Sequence, residues 1–192
     1  AMPFVRPEFL TWEKEVVATN SVACRIAVVL GGGHSGASAL KAVNEEVIRA
    51  IVELAAVKTD TIFSLFGIEA SEFQAIGGNI RIGLAQECPG EILRSTMVIA
   101  RAGRNALSEV LALKKPAILI TPKNEGSQTD KYRFVEQFDN ICFAAKISSG
   151  IRVWDGKSVE NLFEFVEQLL IPHDACYTWE PGNRQFASNL SQ

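Results

Sequence analysis

The stretch from Arg25 to about Ala56 constrains the fold more than any other part of the chain. RIAVVL (Arg25–Leu30) is a short apolar run rich in β-branched residues and reads as a strand buried in a parallel sheet. Gly31–Gly36, with the sequence GGGHSG, follows as a turn. Leu40, Val43, Val47, Ile51 and Leu54 then recur at helical spacing, so a helix is expected from Ala37 to about Ala56.

The alternation repeats down the chain. Further strands are expected at Thr61–Gly67 (TIFSLFG), Asn79–Ala85 (NIRIGLA), Met97–Ala102 (MVIARA), Pro116–Pro122 (PAILITP) and Ile141–Ile147 (ICFAAKI). Further helices are expected at Ala70–Ala75, Pro89–Ser95, Arg104–Lys114, Ser127–Phe138 and Ser158–Leu170. Pro89 suits a first helical turn, and Ser158 is placed to cap the last helix in a box with Asn161 or Glu160. Such a pattern predicts an α/β fold with a doubly wound, Rossmann-like parallel sheet of six strands in the order 3-2-1-4-5-6. Strands 1 and 4 then lie side by side where the order reverses, and a ligand crevice opens at their carboxyl ends. Residues 22–170 account for this domain. Residues 1–21 read as a linker or edge segment, and 171–192 as a polar surface tail.

Composition agrees with one globular domain: 47% of the residues are apolar and 21% charged, in a chain of 192. A net charge of −3, with Lys114–Lys115 the sole adjacent basic pair, argues against a general nucleic-acid surface. Cys24, Cys88, Cys142 and Cys176 form no CxxC pair, so neither a zinc site nor a disulfide framework is indicated, and a cytoplasmic setting is expected. No apolar run approaches the ~18 residues of a membrane span, and no signal peptide is evident. The opening Ala1–Met2 reads as a cloning remnant, which would make the chain a piece of a longer protein.

Two strand–glycine–helix junctions would face the crevice. Gly31, Gly33 and Gly36 fit G-x-G-x-x-G, and Gly103 follows the fourth strand. Glycines let a ligand approach the backbone, and helix amino ends offer free N–H groups and partial positive charge to a phosphate. The plainer reading of the first junction is a tight turn that packs helix on strand. A nicotinamide or flavin site fits poorly: it wants an acid ~20 residues beyond the glycines at the end of strand 2. Glu53 falls inside the first helix, and Glu69 comes late. His34 is placed either to donate to a phosphate or to sit as a solvated loop residue. Arg104 lies in a first helical turn, where a cation opposes the helix dipole, so contact with an anionic ligand is expected, with a plain surface role as the alternative. Glu109, without a ligand, would be an ordinary exposed helix glutamate.

Three stretches carry a family resemblance. PFVRPEFL (Pro3–Leu10), VVLGGGHSGASALKAV and ARAGRNALSEVLALKKPAILITP resemble the C-terminal half of MurG-type, family 28 glycosyltransferases of the GT-B fold. The likeness spans about residues 3–147, and its most specific piece is R-A-G-x-x-x-x-S-E-x-L-A-L-x-K-P-A-I-L-I-x-P at 101–122. The resemblance implies two Rossmann-like domains in the whole enzyme: an N-terminal one for the acceptor and a C-terminal one for a nucleotide-sugar donor, usually a UDP-sugar. This chain would be the donor domain. Gly31, Gly32, Gly33, His34, Ser35 and Gly36 would face the diphosphate. Ile82–Ala85, including Leu84 and Ala85, would meet the uracil. Gly103, Arg104 and Asn105 would complete the diphosphate site, and Glu109 would accept hydrogen bonds from the ribose hydroxyls. Gln128, Thr129 and Asp130 stand where the family reads the donor sugar. Arg104 departs from the small residue usual in the family, and the Lys131–Phe134 segment departs from its sugar loop.

The implied reaction is an inverting sugar transfer with no required cofactor or metal. The resemblance assigns the general base to the N-terminal domain, and no residue here, His173 included, is identified as catalytic. The expected partners are the nucleotide-sugar donor and an acceptor domain or separate acceptor subunit, with any membrane association made through that partner. Phe4, Phe9 and Trp12 would pack on this domain or face the partner. A nucleotide-sugar hydrolase or epimerase on a related fold is the alternative, with Glu69, Glu87 and Glu91 as the acids nearest the strand ends. An unrelated binding module is the bland one.

Overall fold

The computed structural model describes residues 24–31, 38–68, 78–121 and 128–171, with the side chains of 38–43 and 128–134 left aside. The elements are β1 (Arg25–Val29), α1 (Ser38–Val57), β2 (Ile62–Phe66), β3 (Ile80–Ile82), a 3₁₀ turn (Ala85–Glu87) and α2 (Cys88–Arg94). Then follow β4 (Met97–Arg101), α3 (Arg104–Ala112), β5 (Ala117–Ile120), α4 (Gln128–Ile147), β6 (Ile151–Trp154) and α5 (Val159–Leu170). The sheet has six strands in the order β3-β2-β1-β4-β5-β6, and every neighbouring pair is parallel. The expected fold class and strand order both hold.

Period-two alternation along the strands makes two cores. Ile26 and Val28 of β1, Met97 and Ile99 of β4, and Ile118 and Ile120 of β5 enter one core, closed by Val47, Ile51 and Leu54 of α1 and by Leu162, Val166 and Leu169 of α5. Ala27, Val98, Ala100, Ala117 and Leu119 enter the other, closed by Ile92 and Leu93 of α2, Leu107, Val110 and Leu111 of α3, and Ile141 and Ala144 of α4. The alanines on this second face leave room for helices to sit close to the sheet. Each large aliphatic side chain so buried contributes about 1.5–3 kcal/mol.

The sixth strand is not where the sequence suggested. Ile141–Ile147 is the end of α4, which runs for 20 residues, and β6 is the IRVW segment that follows. A seven-residue apolar run fits a strand or a buried helix turn equally well. Ile141 and Ala144 share one face at helical spacing and are buried, whereas β6 is an edge strand with Val153 exposed and reads weakly in sequence. β3 is also shorter than expected, because Ala85–Glu87 already turns toward α2. The predicted Ser158 cap is present: its hydroxyl accepts from the Asn161 N–H at 3.2 Å. The Ala70–Ala75 helix, the 1–21 segment and all but Ile171 of the 171–192 tail lie outside the described residues.

The basic pair at the end of α3 is structural. Lys114 takes φ +52°, and the Lys115 N–H reaches back to the Val110 carbonyl at 3.0 Å, closing the helix in a Schellman arrangement. The Lys115 ammonium donates to the carbonyls of Leu93 and Ser95, where α2 ends. Burial pushes its pKa down to about 8.

Candidate functional site

In an all-parallel sheet every strand delivers its carboxyl end to one edge, and of the residues singled out in the sequence Gly31, Leu84 and Gly103 stand just beyond it. Val29 of β1 lies opposite Ala100 of β4, so Gly31 and Gly103 leave adjacent strands at nearly the same level. Gly31 is exposed with φ +89°. Gly32, Gly33, His34, Ser35 and Gly36 lie outside the described residues.

Gly103 is the N-cap of α3 and has no side chain with which to cap it. The first N–H groups of α3 therefore receive no side-chain cap from their own N-cap residue. Behind the junction, Asn140 of α4 donates through Nδ2 to the Ala102 carbonyl at 2.7 Å, and Ser108 donates to the Arg104 carbonyl at 2.6 Å. Arg104 and Asn105 are exposed in the first turn. Arg104 turns toward α4, with Nε 3.8 Å from a Glu136 carboxylate oxygen. This solvent-facing pair gives Arg104 a protein partner, where the sequence reading had invoked an anion.

Glu109 is not the exposed glutamate that an unliganded helix would suggest. It is 3% exposed, in the middle of α3. Arg101, the last residue of β4, is also buried, at 9% exposure. Burial pushes its pKa down to about 10, so it stays cationic at neutral pH. Its Nη2 donates to Asn44 Oδ1 of α1 at 2.6 Å.

Two further glycines shape the edge: Gly83, within the Ile82–Ala85 stretch expected to meet the uracil, and Gly67, to which sequence reading had assigned no role there. Gly67, just after β2, has φ +85°, and a Cβ on it would stand 2.0 Å from the Gly31 carbonyl oxygen. The turns after β1 and β2 thus touch backbone to backbone. A Cβ on Gly83, just after β3, would stand 2.1 Å from the ring of Phe66. The Gly83 N–H bonds the Leu65 carbonyl at 2.9 Å. Leu84 follows with 61% of its surface exposed, and Ala85 opens the 3₁₀ turn. Gln128, Thr129 and Asp130 form the first residues of α4, but their side chains are outside the description.

Among the acids considered for the alternative chemistry, Glu87 and Glu91 are occupied, and Glu69 is outside the described residues. Glu87 accepts from the Leu84 N–H at 2.8 Å and closes its own turn. Glu91 is buried on the α2 face of the sheet. It meets Arg81 at 2.5 Å, Arg94 at 3.5 Å and Arg25 at 3.7 Å, and accepts from the Ser64 hydroxyl at 3.1 Å. Burial alone would raise its pKa, but the bonds from Arg81 and Ser64 and the charges of Arg81 and Arg25 outweigh it and hold the carboxyl below its ordinary value. The two described residues beyond β2, Gly67 and Ile68, include no acid for a dinucleotide ribose.

A doubly wound parallel sheet with glycine junctions on its two central strands defines a Rossmann-like domain. The description "Glycosyltransferase family 28 C-terminal domain" matches residues 27–148, and the chain belongs to that family. A relative from Bacillus cereus strain ATCC 14579 is 30% identical over 145 residues. It is named UDP-N-acetylglucosamine--N-acetylmuramyl-(pentapeptide) pyrophosphoryl-undecaprenol N-acetylglucosamine transferase 2. The same enzyme from strain ATCC 10987 matches equally, and in both cases the match takes in 74% of this chain and 38% of the relative. Among solved structures, the glycotransferase of kitacinnamycin superposes with a TM-score of 0.55 at 14% identity, over 83% of this chain and 38% of that one. The glycosyltransferase SnogD from Streptomyces nogalater superposes with a TM-score of 0.52 at 16% identity, over 94% and 45%. The fold is thus the C-terminal half of a GT-B glycosyltransferase. No helix among the described residues is long and apolar enough to cross a membrane.

Proposed function

We propose that this chain binds the nucleotide-sugar donor, a UDP-sugar, for an inverting glycosyltransferase, and that it turns over little or no substrate without an acceptor-binding domain or subunit. The observation that carries this is the pairing of Gly31 and Gly103 at the ends of adjacent parallel strands, with the uncapped start of α3 beside them. A diphosphate there would accept from the first backbone N–H groups of α3, which Gly103 has no side chain to cap, in the field of the helix end. In this reading Glu109 of the same helix accepts from the ribose hydroxyls, a contact for which its carboxylate, 3% exposed here, has to be uncovered. The exposed Leu84 and the close-packed Gly83 suit a flat base lying against the end of β3. The relatives from Bacillus cereus, named as transferases of N-acetylglucosamine from its UDP form, support UDP as the carrier.

The acceptor hydroxyl attacks the anomeric carbon and loses its proton to a base on the acceptor domain, while the bond to the diphosphate breaks and UDP leaves. The part played by this chain is to hold the leaving diphosphate in oriented dipoles, which act more strongly in a closed cleft than in water. No metal or cofactor enters this reading, and any membrane association is made through the acceptor partner. The occupied carboxylates of Glu87 and Glu91 argue against a hydrolase or epimerase built on those acids.

Calorimetric titration of the chain with UDP, UDP-N-acetylglucosamine, TDP and NADH tests the proposal, repeated on Glu109→Gln with its folding checked by circular dichroism. Saturable binding of the UDP compounds, weakened about tenfold or more by the substitution, is expected. Binding of NADH alone, or of none of the four, overturns it.

A further inference from the structure

The sequence posed two separate glycine junctions, and one side chain links the elements that carry them. We propose that Arg101 is a positioning residue that sets the separation of the two junctions by holding α1, which follows the first, against the end of β4, which leads into the second. This rests on the donor-binding reading above.

Three observations support it. Arg101 is the last residue of β4, two before Gly103, and its Nη2 donates to Asn44 Oδ1 at 2.6 Å. Asn44 lies in the second turn of α1, the helix that begins just beyond the Gly31–Gly36 loop. Residues 44 and 101 are 57 apart in sequence, so the bond is tertiary and crosses the point where strand order reverses.

The second observation is that β4 is tied from its other face at the very next residue. Asn140 of α4 donates to the Ala102 carbonyl at 2.7 Å. Side chain on one face and carbonyl on the other, the end of β4 is fastened to helices in both layers, and Gly103 follows directly. The third observation is burial. Arg101 is 9% exposed, so its planar fork of donors is held by packing and does not sweep through solvent. A diphosphate that spans two helix ends is sensitive to their spacing, because misplacing a charged ligand by a fraction of an ångström weakens short charge-assisted bonds. The uracil would bind elsewhere, against the end of β3, which pairs with β2 and not with β4, and so does not depend on that spacing.

The experiment compares UDP with uridine. Both are titrated against the unmodified chain, Asn44→Ala, Arg101→Lys, Arg101→Met and the Asn44→Ala/Arg101→Met pair, with thermal unfolding of each. Asn44→Ala is expected to weaken UDP about three- to tenfold while leaving uridine affinity unchanged and lowering the unfolding midpoint by only about 2–6 °C. Arg101→Met is expected to weaken UDP at least tenfold, Arg101→Lys to recover part of that loss, and the double variant to bind UDP no worse than Arg101→Met. Unchanged UDP affinity in Asn44→Ala overturns the inference, even if Arg101→Met fails to fold. So does an equal loss of UDP and uridine, which marks a merely structural residue, or an Arg101→Met loss to which Asn44→Ala adds independently. Failure of the unmodified chain to bind UDP overturns the donor-binding reading itself and takes the positioning role with it, whereas normal UDP binding with an unaffected Asn44→Ala removes only the latter.

Discussion

Replacing Gly67 by alanine should cost this domain far more than its one methyl group suggests. The added Cβ would stand 2.0 Å from the Gly31 carbonyl oxygen, 2.9 Å from its carbon and 3.0 Å from its nitrogen. All three are backbone atoms, so no flexible side chain can yield. The turn after β1 or the turn after β2 must move by roughly 1 Å, an overpacking of the kind that costs about 1–3 kcal/mol. The φ of +85° adds about 1–2 kcal/mol for an L-residue. The sum, about 2–5 kcal/mol, lowers the melting midpoint of a domain this size by about 5–15 °C. Gly78→Ala is the control: nothing lies within 4 Å of its Cβ position, and the change should stay within about 0.5 kcal/mol. Urea and thermal unfolding followed by circular dichroism measure both. Because the clash presses on Gly31 itself, UDP affinity should fall in Gly67→Ala and hold in Gly78→Ala. A Gly67→Ala protein as stable as the Gly78→Ala control would refute the backbone contact on which this reasoning stands.

Two other changes test the frame of the domain. Glu91→Gln should destabilise it by about 2 kcal/mol at neutral pH, below the usual cost of breaking a buried pair because Arg81 and Arg94 can return to water. The folded-state pKa of Glu91 is lowered, so its contribution is complete above the ordinary value of 4.5 and fades as pH falls below it; unfolding titrations from pH 6 to 3 should be steeper for the native protein than for Glu91→Gln. Lys114→Gly should stabilise the domain by about 0.5–1 kcal/mol by relieving a left-handed residue with φ +52°, read as a higher urea midpoint at unchanged slope.

Legibility in the sequence followed the strength of local pattern. Strands β1, β2, β4 and β5 were visible because each is a run of apolar residues buried on both faces, and order 3-2-1-4-5-6 then followed from the alternation with helices. β6 was missed because it is a four-residue edge strand with a single buried residue on each face, Ile151 and Trp154, and between them a half-buried Arg152 and an exposed Val153. The glycines at 31 and 103 were readable as junctions because they stand between a strand and a helix. Gly67 and Gly83 were not, since their need for glycine arises from Gly31 and Phe66, partners distant in sequence.

What the chain determines by itself is therefore most of the elements, their parallel pairing and the edge at which the two glycine junctions stand, because these depend on periodicity and on glycine at fixed offsets. The burial of Glu109, the occupation of Glu91 by three arginines and the tie between Arg101 and Asn44 were decided only by tertiary structure. Each of these depends on which side chains from separate elements reach one another across the sheet, and no local pattern encodes that distance.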